Sequence, residues 1–181
     1  MLPETPSSPR TRGERSEGGG AKQTNRYASF MLTPQYKQPI SALIVVYTSA
    51  LDVLLLERAD FPGYWQSVTG SRDGEESLRE TAIREVAEET GLDATRYALT
   101  DWQVQNVYDI YPKWVHRYPP GTTHNTEQVF GLQLPQQVAV QVSPREHLRY
   151  QWLPWNEAAD KVFSPSNRAA ILQLPERIRH G

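Results

Sequence analysis

Two runs of apolar residues, separated by a polar turn, predict a β-hairpin near the start of the domain. The runs cover residues 40–47 and 53–56 and are rich in Ile, Val and Leu, and a turn is expected over 48–51. Short aliphatic runs bounded by turn residues are typical of buried strands. Because Asp52 and the turn interrupt this most apolar stretch, it is too short to span a membrane.

The same kind of pattern predicts further strands and helices. A strand is expected over 64–68, after the turn signal Pro62-Gly63. Later strands are expected over 102–107, 126–132 and 150–153. Towards the C-terminus we expect one helix with Asn156 as its N-cap and a second helix over 166–174. Strands interspersed with a few helices indicate an α/β fold.

The clearest helix signal lies between Ser77 and Gly91. Ser77 and Glu80 form the S-x-x-E pattern of a capping box, and Gly91 stands where a helix commonly ends. Between them, Ala82 and Val86 belong to a mostly apolar stripe that can pack on a sheet. The sequence therefore predicts a helix with both ends specified and one face buried.

An acidic face runs beside this apolar stripe. At 3.6 residues per turn, Glu85 and Glu89 lie on one face of the helix, and Glu88 flanks them. Like charges at i and i+4 repel, and no Lys lies nearby in the sequence. Arg84 is one turn before Glu88 and within reach of it. Since hard divalent ions prefer carboxylate oxygens, we interpret this face as a Mg²⁺ site for phosphate chemistry.

Composition narrows the classes of function. The chain has 181 residues, which suggests a single domain, and a formal net charge of −2, so no overall basic field points to a nucleic-acid partner. It contains no Cys, which excludes disulfides and thiolate metal sites.

The N-terminal segment differs from the rest. Residues 1–30 are poor in apolar side chains and rich in Pro, Gly, Ser and charge, which predicts a disordered tail before a domain over 31–181. The segment lacks the apolar region of a signal peptide, and its acidic residues are unusual for a transit peptide. We therefore expect a cytoplasmic protein without a membrane partner.

The acidic helix and the loop before it resemble a known family motif. From Gly70 to Leu92 the chain fills each defining position of the Nudix box, G-x5-E-x7-R-E-U-x-E-E-x-G-U with U aliphatic. This resemblance implies a Nudix α/β/α sandwich with a mixed β-sheet. It also implies an enzyme that cleaves a diphosphate bond linked to another moiety, with Mg²⁺ as cofactor and Mn²⁺ as its substitute.

Stretches outside the box resemble one Nudix group, the bacterial dihydroneopterin triphosphate pyrophosphatases. These stretches cover residues 36–47, 64–71, 116–127, 146–153 and 166–171. The resemblance implies a small-molecule triphosphate substrate, dihydroneopterin triphosphate, which is hydrolysed to dihydroneopterin monophosphate and pyrophosphate on the way to folate. In one departure from the group, Tyr108 and Tyr111 replace Phe.

The resemblance also implies site residues. Glu85, Glu89 and Glu127 look like Mg²⁺ ligands by this resemblance, and the acidic helix face adds Glu88 to the candidate ligands. With Arg84, these four carboxylates are the candidate catalytic residues. The general base remains open among Glu88, Glu89 and Glu127. The candidate substrate-binding residues are Lys37, Arg58, Thr69, Tyr108, Asp109, Ile110, Tyr111 and His147.

Several of these assignments have simpler alternatives. Lys37 and Arg58 are either surface charges or grip phosphate oxygens. Glu127 is either an exposed strand residue or points at the metal cluster. His147 is either a hydrogen-bonded loop residue or a substrate contact. For the whole protein, the alternatives are a pyrophosphohydrolase for dATP or damaged nucleotides and a non-catalytic Nudix ligand-binding module; the oligomeric state stays open.

Overall fold

The structure, a computed structural model, describes residues 36–179, so the tail predicted over 1–30 lies outside the described residues. Within this part of the chain there are seven strands, four α-helices and two short 3₁₀ helices. The strands are β1 (Ile40–Thr48), β2 (Asp52–Arg58), β3 (Trp65–Gln66), β4 (Val68–Ser71), β5 (Ala98–Asp109), β6 (His124–Leu134) and β7 (His147–Pro154). The helices are α1 (Leu78–Thr90), α2 (Trp155–Lys161), α3 (Pro165–Leu172) and α4 (Leu174–Arg179), and the 3₁₀ helices are Ala94–Arg96 and Pro112–Arg117.

All seven strands join one mixed sheet. The main path runs β3-β2-β1-β6-β5, while β4 pairs with β1 and β7 pairs with β2. β1 and β6 are parallel along their whole contact, from Ile40 opposite Thr126 to Thr48 opposite Leu134. The other strand pairs are antiparallel. The hairpin predicted from the first two apolar runs is confirmed by the antiparallel pairing of β1 and β2.

Helices cover both faces of the sheet. Because side chains alternate along a strand, β1 sends Leu43 and Val45 to one face and Ala42 and Ile44 to the other. The first pair packs in a core with residues of α2, α3 and α4, and the second pair packs in a core with residues of α1. The structure is thus an α/β/α sandwich, as the resemblance implied. In residues 36–179, no helix is both long and apolar enough to cross a membrane.

The segment expected to be one strand over 64–68 is two strands. β3 pairs with β2, whereas β4 pairs with β1, and the chain changes partner at Ser67. The buried backbone N–H of Ser67 donates to Oδ1 of Asn167 at 2.8 Å, and Asn167 Nδ2 donates to the Ser67 hydroxyl at 2.9 Å. The side chain of Asn167, a hundred residues further along the chain, therefore supplies the hydrogen bonds at Ser67, where the strand pairing is interrupted.

The helices near the C-terminus also differ from the expectation. Asn156 is not an N-cap, because β7 continues to Pro154 and α2 begins at Trp155. The Trp155 N–H donates to the carbonyl of Leu51 at 2.9 Å, so the hairpin turn satisfies it. The helix expected over 166–174 ends at Leu172, and α4 follows. Pro175 lacks the N–H that would continue α3, which explains the break.

We predict that Asn167→Ala lowers the free energy of unfolding by about 1–3 kcal/mol, because it leaves the buried Ser67 N–H without an acceptor. Urea denaturation would measure this change. Arg168→Ala is the matched control, since Arg168 is half exposed and pairs with Asp160 at the surface, and it should change stability by less than about 0.5 kcal/mol. Equal unfolding midpoints for the two variants would contradict the prediction.

Candidate active site

A cavity of about 810 Å³ collects the predicted site residues. Its lining draws on α1, on the ends of β4 to β7 and on the N-terminus of α3. The residues predicted from the sequence that line it are Lys37, Arg58, Thr69, Arg84, Glu85, Glu88, Glu89, Tyr108, Asp109, Ile110, Tyr111, Glu127 and His147. The fold thus brings every one of them to the same place, although they are spread along the chain.

Helix α1 is held at both ends. The predicted capping box is present: Ser77 Oγ accepts from the Glu80 N–H at 3.2 Å, and Glu80 Oε2 accepts from the Ser77 N–H at 2.7 Å. Gly91 caps the C-terminus with a φ of 71°, a left-handed conformation that favours glycine. The helix thereby presents its acidic face in a fixed orientation.

Gly70 lets α1 approach β4 closely. A Cβ atom at this position would lie 1.8 Å from the carboxyl carbon of Glu85. No side chain fits there unless Glu85 moves away. Glycine is therefore required at the first position of the box, because the Glu85 carboxylate occupies the space that a side chain would need. The backbone of β4 forms one wall of the site.

Arg84 neutralises most of the acidic face. Its Nη1 donates to Glu85 at 2.7 Å and to Glu88 at 3.0 Å. Its Nη2 donates to Glu76 at 2.6 Å and to the carbonyl of Ser71 at 3.0 Å. The expectation that Arg84 reaches Glu88 is confirmed. The guanidinium also supplies a cation that the repulsion argument for this helix did not include.

The carboxylates of the box differ in their pKa values. The hydrogen bonds from Arg84 hold the pKa of Glu76 at about 2. Burial raises the pKa of Glu85 to about 7, against the lowering effect of the Arg84 hydrogen bond. Burial also raises the pKa of Glu89, which is 4% exposed, whereas the Glu88 side chain is 56% exposed. Two buried, weakly stabilised carboxylates therefore face a cavity.

His147 is the partner of Glu89. It is the first residue of β7 and is buried, and its Nε2 lies 3.2 Å from Glu89 Oε2. This is ion-pair distance, and the contact with His147 opposes the rise that burial causes in the pKa of Glu89. No hydrogen bond of good geometry joins the two atoms, and Nδ1 of the ring has no partner. Glu89 Oε2 also lacks one. His147 therefore belongs to a strand and not to a loop, and its contact with substrate stays a prediction.

Glu127 approaches the cavity from the other side of the sheet. It is 4% exposed, so the reading as an exposed strand residue is wrong. It lies two residues before Val129 and shares that residue's sheet face, which α2 and α3 cover. Its carboxylate accepts from Asn106 at 3.3 Å and from Tyr108 at 3.5 Å. Burial raises its pKa.

The two candidate phosphate-binding cations differ in their surroundings. Arg58 makes a bidentate contact with Asp60, at 2.8 and 2.7 Å, and donates to Gln66 at 2.8 Å. Its side chain is only 16% exposed, so it is more than a solvated surface charge. Lys37 is exposed at the cavity rim, and its backbone N–H donates to the carbonyl of Arg117 at 2.9 Å.

An aromatic cluster lines another part of the cavity, and the sequence analysis largely missed it. Trp114 is central: its ring lies 5.3 Å from Tyr111, 5.7 Å from Phe61 and 6.1 Å from Phe163, and Arg58 lies 4.8 Å above it. The density of aromatic residues over 108–118 was a sequence signal for this cluster. No sequence signal indicated that Phe61 and Phe163 also belong to it.

Two buried polar atoms near this cluster lack partners. Trp114 Nε1 has no acceptor. Asn125 donates to Ser41 at 2.7 Å and to Tyr108 at 3.0 Å, but its Oδ1 has no donor. Buried polar atoms are rarely left unpaired without a reason. Because Trp114 and Asn125 line the cavity, a bound molecule with its own donors and acceptors can satisfy both atoms.

Comparison with known proteins agrees with this geometry. The NUDIX domain family matches residues 37–174. The chain belongs to the Nudix family. It is 44% identical over 142 residues to the Escherichia coli protein named dihydroneopterin triphosphate diphosphatase, covering 77% of this chain and 93% of that protein. It is 36% identical over 143 residues to the Haemophilus influenzae protein of the same name, covering 77% and 89%.

A solved structure supports the same relationship. The structure of the E. coli dihydroneopterin triphosphate pyrophosphohydrolase aligns with a TM-score of 0.72 at 43% identity. The alignment covers 76% of this chain and 95% of that one. The mixed sheet with helices on both faces is therefore the Nudix fold.

Nudix hydrolases use a divalent metal ion, and residues of this cavity fit one. Ligand atoms of Glu89, Glu146 and His147 all lie within 4.8 Å of one another. The buried Glu89 Oε2 is the observation that favours an ion here, because its contact with His147 is not a well-formed hydrogen bond and a poorly satisfied buried carboxylate oxygen is costly. Glu85 and Glu88 extend the carboxylate face beside this group. Because burial raises the pKa of Glu85 to about 7, a cation that binds there has to displace its proton below that pH.

We predict that burial of Glu85 makes the metal-free protein less stable as the pH rises. The folded protein keeps the Glu85 proton up to about pH 7, whereas the unfolded chain loses it near 4.5. Over this pH range the folded state binds more protons than the unfolded state. The free energy of unfolding therefore falls by on the order of 2 kcal/mol as the pH rises from 4.5 to about 7.

Urea unfolding at pH 5 and pH 8 in a chelator would measure this fall. Glu85→Gln should reduce it, leaving the part that the buried Glu89 and Glu127 contribute, and Glu75→Gln, at an exposed position outside the cavity lining, should leave it unchanged. A divalent ion should restore stability at pH 8, because only the carboxylate form binds metal. The same fall in wild-type protein and in Glu85→Gln would contradict the assignment.

Proposed function

We propose that this protein is a Mg²⁺-dependent pyrophosphohydrolase that converts dihydroneopterin triphosphate and water to dihydroneopterin monophosphate and pyrophosphate, a step towards folate. One observation carries the proposal: a single cavity joins a carboxylate face, suited to a metal and a polyphosphate, to an aromatic cluster, suited to a flat ring. The 44% identity to a protein named for this reaction, across 93% of its length, supports the choice of ring.

The carboxylates and cations hold the triphosphate. Glu85, Glu89 and Glu127 would supply the oxygen ligands that Mg²⁺ prefers. When bound, the ion neutralises phosphate charge and lowers the pKa of a coordinated water. Arg58 and Lys37 stabilise the negative charge that develops on the phosphate oxygens as the bond between the α and β phosphates breaks. Asp60 and Gln66 hold Arg58 in place for this task.

The roles of the carboxylates follow from their exposure. A general base must exchange its proton with water, and Glu88 is the most accessible of the three candidates. We therefore assign the base to Glu88. Glu89 and Glu127 are buried and act as ligands in this scheme. Arg84 positions Glu88 through the 3.0 Å hydrogen bond and keeps Glu85 turned towards the cavity.

The aromatic cluster holds the ring. A pterin is flat and carries hydrogen-bond donors and acceptors on its edge, so it can stack on Trp114 or Tyr111 while its edge reaches polar atoms. The unpaired Trp114 Nε1 donates to a ring acceptor, and the unpaired Asn125 Oδ1 accepts from a ring donor. Ile110 is buried and adds an apolar contact. Thr69 and Asp109 also line the cavity and complete the substrate contacts in this scheme; His147, which the resemblance implies as a further contact, lies against Glu89 instead.

A substrate panel tests this proposal. Purified protein with Mg²⁺ would be given dihydroneopterin triphosphate, dATP and an oxidised nucleoside triphosphate, and pyrophosphate release would be followed. We expect the highest kcat/KM for the pterin, since that ratio measures specificity. A higher kcat/KM for a nucleotide would reassign the substrate, and release of orthophosphate would mean that a different bond is cut. No turnover of any triphosphate would reject the enzymatic function.

We predict that Glu89→Gln lowers kcat by about 100-fold or more, because a group that stabilises charge in the transition state is lost. The fold should remain, as judged by circular dichroism. Glu157→Gln is the control, since Glu157 is exposed on α2 and outside the cavity lining. Near-wild-type turnover by Glu89→Gln would remove Glu89 from the metal site.

We also predict that Trp114→Leu raises KM for dihydroneopterin triphosphate about tenfold with a smaller change in kcat, because stacking on one aromatic ring contributes about 1–3 kcal/mol. Tyr97→Leu changes a half-buried aromatic residue outside the cavity lining and should leave KM unchanged. If the two variants behave alike in steady-state kinetics, the ring does not bind at this cluster.

A further inference from the structure

Backbone hydrogen bonds connect the turn before β7 to the end of α1. The Ser143 N–H donates to the carbonyl of Glu89 at 3.4 Å, and the His147 N–H donates to the carbonyl of Ser143 at 2.8 Å. On its other side, the Ala59 N–H donates to the carbonyl of Glu146 at 2.8 Å. These backbone contacts hold Glu146 and His147 against the last turn of the acidic helix.

This arrangement brings one nitrogen and two carboxylate donors together. The Nε2 of His147 lies 3.2 Å from Glu89 Oε2, and a Glu146 oxygen lies within 4.8 Å of both ligand atoms. The side chains of His147 and Glu89 are 2% and 5% exposed, and the ring nitrogens and Glu89 Oε2 have no hydrogen bonds. Glu146 is exposed and lines the cavity, which leaves the group open on that side.

A buried imidazole with both nitrogens unpaired, beside a buried unpaired carboxylate oxygen, is unfavourable unless something binds between them. Water would satisfy single hydrogen bonds. A divalent ion accounts for all three side chains, because it can coordinate the Nε2 lone pair of His147 and the carboxylates of Glu89 and Glu146 at the same time. It also neutralises the carboxylates of Glu146 and Glu89, whose ligand atoms lie within 4.8 Å of each other.

We propose that Glu89, Glu146 and His147 form a divalent metal site with a direct imidazole ligand, and that this site binds Mn²⁺ more tightly than Mg²⁺. The preference follows from the ligands: imidazole suits transition ions, whereas Mg²⁺ favours oxygen ligands and retains water. Glu89 belongs both to this site and to the acidic face of α1. The inference rests on the metal-dependent function proposed above and assigns to His147 a role other than contact with substrate.

Pulsed electron paramagnetic resonance of Mn²⁺ added to the substrate-free protein tests this site. A coordinated imidazole nitrogen modulates the electron spin echo of Mn²⁺, and oxygen ligands do not. We expect this ¹⁴N modulation in wild-type protein and its loss in His147→Gln. His116→Gln is the matched control, since His116 is exposed and outside the cavity lining, and it should keep the modulation.

Affinity gives a second readout. The signal of free Mn²⁺, with Mg²⁺ as competitor, measures the binding of both ions. His147→Gln should weaken Mn²⁺ binding at least tenfold and change Mg²⁺ binding less. Glu146→Gln changes an exposed side chain, so it should fold normally even if His147→Gln does not; it should weaken Mn²⁺ binding and retain the nitrogen modulation.

Three results would overturn the proposal. They are no Mn²⁺ binding, bound Mn²⁺ without nitrogen modulation in wild-type protein, and modulation that persists in His147→Gln. If His147→Gln instead leaves Mn²⁺ binding unchanged and raises KM for the triphosphate, His147 contacts the substrate. The Mn²⁺-binding and spin-echo measurements do not use turnover, so failure of this site and failure of the proposed pyrophosphohydrolase activity are distinguishable.

Discussion

The guanidinium of Arg84 is the contact on which the acidic face of α1 depends. Two like charges about 4 Å apart near a protein surface repel by roughly 4 kcal/mol, which is a large fraction of the stability of a typical domain. Arg84 lies between Glu76, Glu85 and Glu88 and donates to all three. With that charge in place, α1 can pack its apolar stripe on the sheet, and Gly70 allows the Glu85 carboxylate to lie directly against β4.

Arg84 makes no ion pair with Glu89, and this omission divides the carboxylates into two kinds. Three carboxylates, those of Glu76, Glu85 and Glu88, form ion pairs with the Arg84 guanidinium. Glu89 is instead buried against His147, with an oxygen that has no hydrogen bond. The same helix thus contains carboxylates that Arg84 contacts and one, Glu89, that Arg84 does not reach. That difference explains why an acidic face that is stable enough to fold can still bind a metal.

The cavity has two chemically distinct parts because different elements build them. The carboxylates come from α1 and β6, and the aromatic rings come from the loop at Phe61, the 3₁₀ helix at Trp114 and the segment at Phe163. Arg58 belongs to both parts, since it lies over the Trp114 ring and carries the charge that suits a phosphate. A molecule with a flat ring at one end and a polyphosphate at the other fits this division.

The sequence by itself determined the features that depend on residues a few positions apart. These include the β1–β2 hairpin, helix α1 with both caps, and the spacing of Glu85, Glu88 and Glu89. Each is a local pattern, either a helical or strand period or a capping motif. The spacing also identified the family, since the defining positions of the box lie within one loop and one helix.

Only the tertiary structure decided which of these groups meet. Asn167 satisfies the break between β3 and β4 from a hundred residues away. His147 reaches Glu89 from β7, and Glu127 enters from the opposite face of the sheet. The aromatic cluster draws on three separate segments. A sequence pattern reports the periodicity along one helix or strand. Which side chains are buried, and which residues they contact, depends on how distant elements pack. Those contacts decide which charged groups and polar atoms of the site lack a partner.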